Sequence, residues 1–153
     1  MRIAEFLTKS TQPDLIQVFR DFLPLAMETL ELEGFPPIKL CLRIPHSHRP
    51  TFGKYVNEEN VIYVAIEDRH PLDIIRTLAH ELVHYKQHTQ NIMGNGKAGD
   101  PTENEANKLA GTLVRKFGET HSQYFKLSAI TEAKKKRKKI LDIDSEHYPM
   151  ELT

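Results

Sequence analysis

At 153 residues, with 39% hydrophobic and 27% charged side chains, the chain has the make-up of one globular domain with a real core. Lys+Arg and Asp+Glu balance at 21 each, which excludes a global electrostatic pull toward nucleic acid or a membrane surface. The single cysteine, Cys41, excludes an internal disulfide and a multi-cysteine zinc ribbon, and no apolar run approaches the roughly 20 residues of a membrane span. With one thiol and no secretory pattern over Met1–Ser10, the expected setting is the reducing cytoplasm.

Thr11-Gln12-Pro13-Asp14 reads as a helix start, and Leu15, Val18, Phe19, Phe22 and Leu25–Ala26 recur at helical spacing. Pro24 is expected to kink or split that helix, and Gly34 with Pro36-Pro37 to stop it. Ile38–Ile44 alternates strictly and predicts a half-buried strand, with Cys41 on the face of Lys39 and Arg43. Pro45 and Pro50 bracket a turn holding His46 and His48, which reads as a solvated loop. Thr51–Val56 and Asn60–Ile66 predict two further strands, the second apolar enough to be covered on both faces.

Asp68-Arg69-His70-Pro71 begins the next helix, which meets no breaker before about Gln90. Within it stands His80-Glu81-Leu82-Val83-His84, the His-Glu-x-x-His pattern. Histidines four apart lie one helical turn from each other, so both rings can converge on one metal ion, with Glu81 placed as a general base. On the helical wheel Leu72, Ile75, Ala79, Leu82 and Val83 gather on one face. Asp73, Thr77, His80, Glu81, His84 and His88 lie opposite.

The polar loop Asn91–Gly99 lacks P-loop spacing and is expected to act as a flexible lid. Asp100-Pro101-Thr102-Glu103 then resembles a capping box, opening a helix whose apolar positions run from Ala106 to Phe117 and which Gly118 is expected to end. A catalytic zinc site needs a third protein ligand. Glu105, on the border of that apolar stripe, is the expected one; capping accounts for its competitor Glu103. His88 lies two turns from His80 and is expected at the rim or as a support behind the ligands. Asp73 and Thr77 are candidates to support the ligands, and Tyr85, His121 and Tyr124 to stabilise an oxyanion.

Ser122–Ala133 predicts a C-terminal amphipathic helix. It leads into the cationic run Lys134, Lys135, Lys136, Arg137, Lys138 and Lys139, a candidate patch for nucleic acid or an acidic partner. Ile140–Thr153 is an acidic tail. The expected organisation is therefore one α+β domain over residues 1–130, with a basic then acidic tail over 131–153. It comprises an N-terminal helix, a small and mostly antiparallel three-stranded sheet, the histidine helix, a glutamate-bearing helix and a C-terminal helix.

His80-Glu81-Leu82-Val83-His84 followed by Glu105-Ala106-Asn107-x-x-Ala110 resembles the small gluzincin metallopeptidases, nearest the SprT-like and ImmA/IrrE-like groups and short phage-encoded relatives. The resemblance spans roughly Asn60 to Phe117 and implies a zincin-like fold with a Zn²⁺ cofactor. It further implies His80, His84 and Glu105 as ligands, Glu81 as base, and a protein or peptide substrate in the cytoplasm, that of the host if the chain is viral. One cysteine departs from the cysteine-rich ribbon of SprT-like proteins, and Gly111–Lys116 from the usual ImmA/IrrE ending. The likeness is thus to the superfamily.

Overall fold

The structure is a computed structural model that describes residues 15–44, 51–92, 94, 99–126 and 141–143. The first described helix, α1 (Leu15–Leu30), buries Leu15, Val18, Phe19, Phe22, Leu23, Ala26 and Leu30. Pro24 neither splits nor ends it. The ring stands on the exposed side, where water can serve the carbonyl that loses its partner. The helix stops ahead of Gly34, with Glu31 in the left-handed region (φ 56°) and Leu32 N–H donating to the Met27 carbonyl at 2.8 Å.

Strands β1 (Ile38–Cys41), β2 (Gly53–Val56) and β3 (Val61–Ala65) join β4 (Leu141–Ile143) in the order β2-β3-β1-β4. The sheet is mixed. β2 and β3 form an antiparallel hairpin, closed by Asn57–Asn60 with Asn60 left-handed (φ 54°), a conformation asparagine tolerates. β3 lies parallel to β1, pairing Ile38 with Ile62 and Leu40 with Val64, while β4 runs antiparallel to β1. A small, mostly antiparallel three-stranded sheet was expected; two of the three pairings among the described strands are antiparallel, as expected, and the additions are the fourth strand and the parallel central pair. Burial along β3 accounts for the parallel pair, since four of its five residues are buried, a pattern suited to a central strand covered on both sides. Ile38, Leu40, Ile62, Val64 and Ile66 belong to the hydrophobic core, and among the described strands β2 stands at the edge of the sheet.

Helix α2 (Pro71–Thr89) starts on His70, whose ring accepts a hydrogen bond from Leu72 N–H, and ends where Asn91 turns left-handed (φ 58°). It is the central element, packed against α1, β2, β3 and helix α3 (Pro101–Thr120). α3 starts on Asp100, whose carboxylate accepts from the Thr102 N–H and hydroxyl. It runs two residues past Gly118, because that glycine serves packing rather than termination. A Cβ at Gly118 would lie 2.0 Å from the Phe125 ring. The expected C-terminal helix is a 3₁₀ turn over its described part, Ser122–Lys126. Tyr124 tucks back there to donate to Asp21 on α1. Among the described residues no helix is long and apolar enough to cross a membrane. Residues 134–139, His46 and His48 lie outside the described residues.

Candidate metal centre

The two histidines converge as their spacing requires. His80 Nε2 and His84 Nε2 are 3.0 Å apart. Glu103 joins them from α3, with Oε2 2.7 Å from His84 Nε2 and Oε1 3.3 Å from His80 Nε2. These three side chains form a group that can hold a metal ion. Ligands about 2.05 Å from a tetrahedral ion stand about 3.3 Å from one another, so the spacing fits a small divalent cation. The chemistry of the donor set fits as well. Two imidazole nitrogens and a carboxylate directed at one point are a donor set that a divalent cation satisfies.

Glu103, and not Glu105, is the carboxylate brought to the histidines. Residues 103 and 105 differ by about 200° around a helix. Read one turn back from Ala106, the buried stripe Ala106, Ala110, Leu113 and Phe117 lands on Glu103. Glu105 is exposed and accepts a hydrogen bond from Gln87 Nε2 at 2.9 Å. The expected capping role is no obstacle, since Asp100 already serves the N–H of Thr102 and leaves the longer Glu103 side chain able to reach across to α2.

Two supporting residues escaped the sequence reading. Gln87 is buried (3% exposed); its amide donates to the Thr102 carbonyl and Glu105, so its Oε1 accepts from His84 Nδ1 at 2.9 Å. A proton held at Nδ1 leaves Nε2 to face His80 and Glu103, the arrangement a metal ligand needs. Asn107, one turn after Glu103, hydrogen-bonds His80. Their signal was positional: Gln87 is three residues after His84, and Asn107 four after Glu103. Burial holds the His80 pKa below its ordinary value, and His84 adds to this; Glu103 and Asn107 oppose it. A neutral imidazole is the form that ligates.

Glu81 is more enclosed than its place on a polar helical face suggested, at 7% exposure. The cover is β2. Gly53 passes so close that a Cβ there would stand 2.3 Å from Thr77 Cγ2 and 3.3 Å from Glu81 Oε2. Burial pushes the Glu81 carboxyl up to about 7, Glu103 adds to the rise, and His84 and the Tyr55 backbone N–H pull it back. A cleft of about 440 Å³ opens beside it, lined among others by Phe52, Gly53, Thr77, His80 and Asn107. A second, of about 290 Å³, lies across the ligand set, lined by Tyr55, His84, His88, Ile92 and Glu103. β2 borders both.

The remaining candidates divide. His88 is exposed on the rim of the second cleft, edge-on to Tyr55. Thr77 lines the first cleft and accepts from Arg69 at 2.6 Å. Asp73 is exposed and reaches neither histidine, its backbone carbonyl accepting from Arg69. Tyr85 packs edge-on against Tyr55 at 5.7 Å and lines neither cleft. His121 and Tyr124 stack on Phe117 at the far end of α3. Eighteen residues of helix put them about 27 Å from Glu103, too far to meet a reacting carbonyl. The lid expected over Asn91–Gly99 falls largely outside the described residues, but Gly94 borders the second cleft. No family model, curated protein or solved structure matches this chain.

Proposed function

We propose that the chain is a zinc-dependent metallopeptidase of the small gluzincin kind, with a zincin-like fold, acting on a protein or peptide in the cytoplasm. His80, His84 and Glu103 would hold the ion, which when bound would supply acidification of a water and polarisation of the scissile carbonyl. The observation that carries the reading is Glu81: a buried carboxyl with a raised pKa, next to the ligand set and facing a cleft beside an edge strand. A carboxylate so placed takes a proton from water and returns it to the leaving amine. Tyr55 N–H holds it in orientation and Gly53 leaves it room. β2, with no neighbour on its outer side among the described strands, offers backbone groups to an extended peptide.

The test is hydrolysis of an unfolded protein such as casein by the zinc-loaded chain. Wild type is expected to cleave, and Glu81→Gln to keep its zinc and lose at least about a hundredfold in rate. A zinc-loaded wild type that cleaves nothing, or Glu81→Gln at full rate, overturns the reading.

A further inference from the structure

Helices α2 and α3 face each other in antiparallel rungs. His84 meets Glu103, His80 meets Asn107, and one turn further on Arg76 meets Gly111. Gly111 has no side chain to hold the next residues apart. A Cβ at that position would stand 3.4 Å from Arg76 Nη1 and 3.6 Å from Arg115 Nη1, so both guanidinium groups lie over the same glycine. Arg76 also lines the cleft that holds His80 and Glu81.

Both side chains are exposed, so water screens their repulsion, and an anion held between them would relieve what remains. Among the described residues neither arginine enters an ion pair, and Arg115 donates only to the Thr112 hydroxyl at 3.3 Å. Among the described residues lining that cleft the one acid is Glu81, which the proposed reaction uses as its base. A planar carboxylate, taking N–H···O bonds of about 2.8 Å on either side, bridges two guanidinium groups so placed.

We propose that Arg76 and Arg115 form a subsite for a carboxylate of the peptide substrate, one helical turn from the ligand set; the inference rests on the metallopeptidase reading. The carboxylate has two sources. It is either the side chain of an Asp or Glu beside the scissile bond, or the terminal carboxylate of a short peptide.

Two random decapeptide libraries, one with free and one with amidated carboxyl termini, are digested by the zinc-loaded full chain, and the residues flanking each cut are read by mass spectrometry. Asp and Glu enriched about tenfold or more at one fixed position in both libraries identifies the side chain. Cleavage confined to the free-carboxyl library, at a constant distance from the end, identifies the terminus. Arg76→Glu is expected to keep the zinc content and remove the acidic preference, with Lys or Arg enriched at the same position instead, and Arg115→Ala to weaken that preference at unchanged zinc. Cleavage indifferent to charge overturns the subsite but leaves the peptidase standing. Absence of cleavage in both libraries overturns the two together. A zinc-loaded Arg76→Glu that keeps the acidic preference excludes these arginines.

Discussion

Gln87 holds His84 and α3 at the same time: its side-chain oxygen accepts from His84 Nδ1 at 2.9 Å, and its amide nitrogen donates to the Thr102 carbonyl at 3.0 Å. One buried amide thus sets the tautomer of His84 and ties the histidine helix to the turn that carries Glu103. Gln87→Leu removes both at nearly constant volume. Zinc affinity, read by competition with a chelator, is expected to fall about ten- to a hundredfold. An unchanged affinity would show that His84 needs no such partner.

Glu103→Ala and Glu105→Ala separate the two carboxylates. Glu103→Ala is expected to lose stoichiometric zinc after dialysis, because it deletes a donor 2.7 Å from His84 Nε2. Glu105→Ala removes only an exposed acceptor of Gln87 and is expected to retain the metal. Elemental analysis of the purified proteins decides between them, and the opposite pattern would restore Glu105 as the ligand.

The buried Glu81 makes the metal-free chain sensitive to pH. Its carboxyl keeps its proton up to about 7 when folded, against 4.5 for the ordinary group. Between those values the folded chain binds more protons than the unfolded one, so this group's effect is to lower stability as pH rises through the window. Above it the cost is fully present, up to about 3 kcal/mol. Glu81→Gln is isosteric and does not ionise. In chelator-treated protein, urea unfolding should therefore show Gln gaining on wild type between pH 4.5 and pH 8, the His80 contribution being common to both. A constant difference across that range would mean the carboxyl titrates as if exposed.

Gly53 brings β2 hard against the site. A methyl group there meets Thr77 Cγ2 at 2.3 Å and Glu81 Cγ at 3.2 Å, so strand and helix must move apart. Gly53→Ala is expected to cost about 1–3 kcal/mol in stability. It is also expected to lower turnover more than zinc content, since it displaces the base and leaves the ligands in place. Equal losses of both would mean that the strain spreads to His80.

The elements were legible in the chain because the signals behind them are local. Proline after a capping residue opens α2 and α3, alternation and β-branched runs give β1 to β3, and 3.6-residue periodicity puts His80 and His84 on one helical face. The convergence of His80 with His84, and the place of Glu81 beside them, followed from helical spacing alone. Pro24 does not split α1, since its ring stands on the side that meets water, and Gly118 misled because a ring from the following turn fills its place.

What only the tertiary structure decided is how the second helix is turned toward the first. Two glutamates two residues apart are equally available in sequence. Burial of Ala106, Ala110, Leu113 and Phe117 rotates α3 so that Glu103 meets the histidines and Glu105 meets Gln87. The same docking encloses Glu81 beneath Gly53 and places Gln87 behind His84. Spacing along one helix is set by backbone hydrogen bonds within it. The angle at which another helix presents its side chains is set by the apolar contacts of the whole core, which no short stretch of sequence contains.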